Sequence, residues 1–278
     1  MSNKRFFKNI QKGIKLNLQR LFINPYKSVN VSWLTLKYYK HLPPGEIRAH
    51  KLFNKSLYFY SATELLHGLK EIFIEHIYKQ ELCETPYIID CGANIGMSVI
   101  YMKELYPKSQ IIAFEPDEIN YSLLEKNVAS FDYSDITLFK EAIWKENTTL
   151  LFSNESSMGS KIEIGGSYKS KEVKAIRLKD YLIKEVDFLK IDIEGAEYEV
   201  LCDIADKLNM VKNMFLEYHG TFSQNSELVE MIQIVKNAGF NFYIKEAAPI
   251  YETPFFRVKN PNTCYDVQLN IFCFRNKI

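Results

Sequence analysis

The sequence has little of what would staple, anchor or unravel a chain. Its 278 residues include only five cysteines (83, 91, 202, 264 and 273), an odd and scattered set without a C-x-x-C pair. Neither a disulfide framework nor a zinc site is expected, and a reducing cytoplasm is the natural setting. No uninterrupted apolar run exceeds four residues. That is too short for a transmembrane helix, or for the h-region of a secretory signal, which needs roughly 7–15 residues. Glycine and proline are sparse, at 11 and 9, which excludes a fibrous or low-complexity chain. With 47% hydrophobic residues, the chain can bury a core and is not a disordered one. Nor does either charge dominate: 35 basic residues face 34 acidic ones, which speaks against bulk nucleic-acid binding.

One absence is local. The first acid is Glu46, whereas nine basic residues (Lys4, Arg5, Lys8, Lys12, Lys15, Arg20, Lys27, Lys37 and Lys40) precede it. Beyond residue 40, 26 basic residues therefore stand against all 34 acids, a net of −8. Phe6, Phe7, Ile10, Ile14, Leu18, Leu21 and Phe22 recur at helical spacing, with Lys8, Lys12 and Lys15 on another face and Gly13 as the weak point. The pattern is a basic amphipathic helix. It suits peripheral contact of residues 4–22 with an anionic membrane, at its inner face, or packing on the body of the protein with a solvated basic side. Residues 1–80 read as an N-terminal extension: this helix, a hairpin over 51–60 around Asn54-Lys55, and a helix over 62–78.

From residue 87 the pattern is regular. Short apolar runs at 87–91, 110–114, 136–143, 187–193 and 213–219 alternate with helical stretches near 96–105, after Asp117, near 196–208 and over 226–238. Alternation of this kind predicts an α/β fold, doubly wound on a mostly parallel sheet. Two last strands, 240–245 and 266–274, have no helix between them and should form an antiparallel hairpin on one edge. Residues 148–177 interrupt the alternation with short strands and Gly/Ser turns.

The stretch Tyr87-Ile-Ile-Asp-Cys-Gly-Ala-Asn-Ile-Gly96 runs a strand into a tight turn and a helix. Gly92 and Gly96 stand where the backbone must bend and a ligand must come close. The spacing is Gly-x-Asn-x-Gly rather than the Gly-x-Gly-x-x-Gly of a dinucleotide fold. Glu115, at the end of the second strand, can accept both hydroxyls of a ribose, or simply favour the helix that follows. Glu141 could accept an adenine amine and the Ala142 N–H could donate to the ring. Asp90, Gly92, Gly96, Glu115 and Glu141 come in order on successive strand ends, where open sheets of this kind bind ligands.

These residues resemble the S-adenosylmethionine pocket of class I methyltransferases. Asp90-Cys-Gly-Ala-Asn-Ile-Gly96, Phe114-Glu-Pro-Asp117, Asp187-Phe-Leu-Lys-Ile-Asp-Ile-Glu-Gly-Ala-Glu197 and Phe215-Leu-Glu-Tyr-His219 are similar to the signature of the FkbM-type methyltransferases. The resemblance covers roughly 85–275 and implies a seven-stranded Rossmann-like methyltransferase domain within 81–278. It implies methyl transfer from S-adenosylmethionine, usually to a hydroxyl oxygen, in the making of surface polysaccharides, glycolipids or polyketides. Asp90, Gly92, Asn94, Gly96 and Glu115 fall on its cofactor positions. Asn94 replaces a glycine common in class I enzymes outside the family. The turn Asp192-Ile-Glu-Gly195 is not the Pro-Pro-aromatic turn usual in methylation of nucleic-acid amines, so no nucleic-acid partner is expected.

An aliphatic hydroxyl needs a base within reach, or a metal to lower its pKa. Asp192 and Glu194 lie two apart at one strand exit, and Glu217 and His219 repeat that spacing on the next. The four are the expected catalytic set, with His219, able to be neutral near pH 7, as the base. Asp192 with Glu217 or His219 could instead hold a divalent cation such as Mg²⁺. Glu197 reads as an acid at a helix N-terminus. Tyr251, Phe255 and Phe256 form a lid over a small-molecule or glycan acceptor, or fill the core; the turn-rich 153–170 is a second lid candidate. A non-catalytic binding protein on the same fold, its basic helix recruiting a partner, is the alternative of another class.

Overall fold

The computed structural model describes residues 24–153, 161–163, 170–258 and 264–275. The basic helix expected over 4–22 lies outside the described residues, as does most of 153–170. The described part of the N-terminal extension opens with a 3₁₀ turn at Pro25–Val29, followed by α1 (Trp33–Lys40). The Ser32 hydroxyl caps α1 by accepting the Thr35 N–H at 3.0 Å, as an N-cap serine should. A hairpin of β1 (Arg48–Leu52) and β2 (Lys55–Phe59) comes next. Its two-residue turn is Phe53-Asn54, with φ of 48° and 64°, one residue earlier than expected. Positive φ at both positions is the twist-matched hairpin turn. The Phe53 ring is held edge-on to Phe73 at 5.7 Å. Helix α2 (Ala62–Gly68) continues directly as a π-helical turn, Leu69–Ile74. Gly68 lets the Met97 side chain pack close, since a Cβ there would come within 2.1 Å of the Met97 Cε and push the end of that side chain aside.

The central sheet has seven strands: β3 (Tyr87–Cys91), β4 (Gln110–Phe114), β5 (Ile136–Phe139), β10 (Val186–Ile191), β11 (Val211–Gly220), β12 (Asn241–Glu246) and β13 (Val267–Phe274). Their order is β12-β13-β11-β10-β3-β4-β5. The pairs from β11 through β5 are parallel. Only β13 runs against its neighbours, which gives the expected antiparallel edge. β3 and β10 are buried at every position, as parallel strands covered on both faces must be. The covering helices are α3 (Met97–Leu105), α4 (Glu118–Phe131), α5 (Glu197–Ile204) and α6 (Asn225–Asn237). The extension shares one buried cluster with this domain: Leu57, Phe59, Leu65 and Leu69 pack with Ile88, Ile100, Leu124 and Phe215.

The expected third strand over 136–143 is two strands. After β5 the chain leaves the central sheet at Lys140-Glu141 and enters a second one, built from β6 (Ala142–Trp144), β7 (Thr148–Ser153), β8 (Lys161–Glu163) and β9 (Ser170–Arg177) in the order β6-β9-β7-β8. β9 takes β6 as a parallel partner, and Ala142, Trp144, Ala175 and Ala196 give this sheet a small core of its own.

Candidate active site

The carboxyl ends of β3, β4, β10 and β11 lie side by side, the edge at which open α/β sheets carry their ligand crevice, and two groups of residues gather there. The first surrounds the turn after β3. Gly92, Asn94 and Gly96 all have positive φ (87°, 49° and 88°). At Gly92 the demand is also steric, since a Cβ would sit 1.8 Å from the Asp192 carbonyl oxygen. The N–H groups of Gly92 and Ala93 both donate to the Phe114 C=O, at 3.0 and 2.9 Å, locking the turn to β4. The Asp90 carboxylate accepts the Ser98 hydroxyl at 2.5 Å.

Glu115 is buried. Its two oxygens accept the N–H groups of Asn94 (2.8 Å) and Asp117 (2.9 Å), and burial, partly offset by these bonds, pushes its pKa up to about 7. Each oxygen keeps further lone-pair capacity. Asn94 is exposed at the mouth of the crevice, its Oδ1 accepting the Ile95 N–H at 2.6 Å. Thus Asp90, Gly92, Asn94, Gly96 and Glu115 come together. Glu141 and Ala142 sit at the break between β5 and β6. They connect to the group through Phe139, whose C=O accepts the Glu115 N–H at 3.0 Å. The Glu141 carboxylate pairs with Lys174 of β9 at 3.1 Å.

The second group lies beyond β10. Asp192 and Glu194 leave that strand in a turn with positive φ at Glu194 (57°) and Gly195 (97°), while Glu217 and His219 end β11. His219 is buried. Its Nδ1 lies 3.1 Å from Glu197 Oε1, and its Nε2 lies 3.5 Å from Glu217 and 3.7 Å from Glu194. The Glu197 carboxylate is itself fixed by the N–H groups of Ile193 and Gly195 at 3.0–3.2 Å.

Burial alone would lower the His219 pKa. The bonds to Glu197 and Glu217 and the charges of Glu197 and Glu194 outweigh it and hold the imidazole well above its ordinary value. Three carboxylates converge on this ring and favour its protonated form, which the expectation of an imidazole able to be neutral near pH 7 did not count. Burial pushes Glu194 up to about 8, against the pull of His219 and with the push of Asp192, Glu197 and Glu217. Glu217 is raised by burial and Asp192, and His219 opposes the rise.

Several residues here were missed or undervalued in the sequence. Lys190 joins the two groups. Its buried ammonium lies 3.2 Å from both Asp90 Oδ1 and Asp192 Oδ2 and donates to the Gly92 C=O at 2.7 Å. A lysine inside the apolar run Val186–Ile191 is the signal that could have found it, because a buried cation needs partners. Glu197 is the helix-start acid expected, yet it also anchors His219. Tyr265 donates to the Glu194 C=O at 3.0 Å, with its ring 5.0 Å from that of His219. The π turn brings in Glu71, whose pKa is raised by burial and by the charge of Glu217, against the pull of His67. Asn270 stands opposite Glu217 across β11 and β13, its amide fully buried with neither polar atom hydrogen-bonded. Of the lid aromatics, Tyr251 stacks on Phe222 at 6.0 Å, and Phe255 and Phe256 are exposed, so these two do not fill the core.

The Mg²⁺ expectation meets a mixed geometry. Ligand atoms of Asp192, Glu194 and His219 lie within 4.8 Å of one another, but Asp192 already faces the Lys190 ammonium and the surrounding carboxylates tighten the hold of His219 on its proton. A dication would have to displace a proton and approach a fixed positive charge, so the set does not fit one well.

An α/β sheet of this order, with a glycine turn after its central strand and a charged crevice at its carboxyl edge, has the class I methyltransferase fold. A sequence match to the methyltransferase FkbM domain spans residues 90–242, and the chain belongs to that family of methyltransferases. Methyltransferase sdnD of Sordaria araneosa is 28% identical over 238 residues, covering 71% of this chain and 89% of that protein. The 31-O-demethyl-FK506 methyltransferase FkbM of Streptomyces tacrolimicus is 22% identical over 249 residues, covering 76% and 91%. A crystal structure of methyltransferase FkbM from Methylobacillus flagellatus aligns with a TM-score of 0.47 at 15% identity, covering 69% of this chain and 44% of that one.

Proposed function

We propose that this protein is an S-adenosylmethionine-dependent O-methyltransferase acting on a sugar hydroxyl of a surface polysaccharide or glycolipid precursor. The observation that carries the reaction is the Glu217–His219–Glu197 cluster beside the Gly92 turn. The glycan rests on the association of the family with such products. The residues fit the cofactor, since Glu115 retains the acceptor capacity that a ribose diol requires. Asp90, Gly92, Asn94, Gly96 and Glu115 would hold it, with Glu141 and Ala142 toward the adenine. When bound, S-adenosylmethionine supplies a methyl group on a sulfonium, an electrophile that needs no further activation.

The protein's task is to aim the acceptor and take its proton. Glu217 receives that proton at its carboxylate. Burial has raised its basicity, while the imidazole 3.5 Å away opposes that rise and favours its ionised form. Glu197 holds the imidazolium in place. Asp192 and Glu194 present acceptors to the hydroxyls of the incoming group. Incubation with methyl-labelled cofactor and glycan fractions should yield labelled methyl ethers. Absence of both calorimetric cofactor binding and labelled product overturns the proposal. Mg²⁺ and EDTA should leave the rate unchanged; strict Mg²⁺ dependence would restore the cation reading of Asp192, Glu217 and His219. A second reading, a small polyketide-like acceptor, is favoured by the FK506 methyltransferase relative, and a macrolide arm of the same assay decides it.

A further inference from the structure

Helix α1 turns an apolar face outward, on the extension rather than at the crevice. Leu36 and Tyr39 are its buried side. On the other side Trp33 is 53% exposed, Leu34 82% and Tyr38 59%. At 100° per residue, Lys40, Trp33, Lys37, Leu34 and Tyr38 fall within one arc of roughly 160°, so cations and large apolar side chains alternate across a single face. Lys37 and Lys40 are exposed as well, and the nearest acid in the chain is Glu46. Among the described residues no helix is long and apolar enough to cross a membrane.

We infer that this face of α1 docks the protein on an anionic lipid surface, with Trp33, Leu34 and Tyr38 at headgroup depth and Lys37 and Lys40 against lipid phosphates. Tryptophan and tyrosine favour the membrane–water boundary, where one end of the ring is apolar and the other wet. Basic residues beside them add electrostatic attraction. Residues 1–23 are the other candidate cover. Their apolar residues could meet this face, but with six basic side chains and no acid they offer Lys37 and Lys40 no counter-charge, whereas an anionic surface accommodates both the rings and the cations. A nucleic acid would match the charge but would leave Leu34 without a partner.

The chain carries its own reporter, because its two tryptophans are Trp33 and the buried Trp144. In a full-length Trp144→Phe variant, Trp33 is the sole tryptophan. Its emission should shift to the blue, and the protein should co-sediment, with phosphatidylglycerol-containing vesicles at low salt but not with pure phosphatidylcholine. Lys37→Ala with Lys40→Ala should weaken sedimentation by roughly tenfold or more, and salt should reverse binding of the parent. Trp33→Ser, Leu34→Ser and Tyr38→Ser together should weaken it at least as much, with an unchanged circular dichroism spectrum. Unchanged binding in either set overturns the assignment. So does failure to bind anionic vesicles at low salt, or a Trp33 already shielded from iodide without lipid, which would make residues 1–23 the cover. A blue shift with duplex DNA and none with vesicles would transfer the face to nucleic acid.

Discussion

The two halves of the crevice use the same chemical groups to opposite ends. Around the Gly92 turn, the carboxylates have dedicated partners: Asp90 has the Ser98 hydroxyl and the Lys190 ammonium, and Glu115 has two backbone N–H groups. These partners fix side-chain positions, although burial still raises the Glu115 pKa to about 7. Around His219, three glutamates surround one ring and a fourth acid stands nearby. That half can be stable only if protons are shared among its members, since several like charges in a buried space are costly. One half is therefore a mould and the other a proton store, with Lys190 as the post between them.

The sharpest way to break this comparison is His219→Ala. Losing the central cation of the store should cut methyl transfer by about 10²–10⁴ while leaving calorimetric cofactor binding within about threefold. Comparable loss of both would mean that the halves are not separable. The reciprocal change is Gly92→Ala. Its Cβ would meet the Asp192 carbonyl at 1.8 Å in a backbone conformation with φ of 87°. The turn must open, costing about 3 kcal/mol. A thermal melt should show the loss, and cofactor binding should fall more than tenfold. A variant that melts and binds like the parent would show the mould to be looser than the geometry says.

Legibility in the sequence followed the same division. The mould is local: Asp90 through Gly96 is one strand, turn and helix start, and Glu115 ends the next strand, so period and spacing revealed it. The alternation of strands with helices was legible for the same reason, as short apolar runs alternated with helical stretches, whereas the order of the strands across the sheet is a tertiary fact. The proton store depends on distant neighbours. That Glu197 meets His219 rather than only capping α5 follows from the parallel pairing of β10 with β11, and spacing alone does not show which ring a helix-start acid will face. The upward pull on the His219 pKa was not legible, because the number of carboxylates around the ring is a tertiary fact. The split of 136–143 was hidden too: β6 leaves the sheet because β9, some thirty residues later, offers it another partner.

A subtler test uses pH. Glu115 and Glu194 have native pKa values of about 7 and about 8 against an ordinary 4.5, and His219 lies well above its ordinary 6.5. For the two glutamates the native state binds its proton more tightly, so stability declines as pH rises from about 4.5 to 8. For His219 the contribution is complete below about 6.5 and is lost as pH rises through the raised native value. All three signs agree, and the melting temperature should fall between about pH 6 and pH 9, by the equivalent of about 2 kcal/mol. Glu194→Gln should flatten part of that slope. A melting temperature that rises over this range would contradict the shared-proton account.

The smallest effect expected is also the most specific to the store. Glu197→Gln removes one charge beside His219 but keeps an oxygen able to accept from Nδ1, so the ring should stay in place while its pKa drops. Glu197 touches neither cofactor nor acceptor in this account and acts as a positioning residue. The rate should fall about tenfold, with the KM for cofactor unchanged. The high-pH limb of the kcat profile should move to lower pH, because the weakened imidazolium gives up its proton sooner and the neutral ring then no longer offers Glu217 a charged donor to hold it in position. Titration of the His219 ring by NMR should show the same displacement. A uniform loss of rate without any displacement would leave Glu197 with a purely architectural role, tying the Ile193–Gly195 turn to α5, and would place the proton store in Glu194 and Glu217 alone.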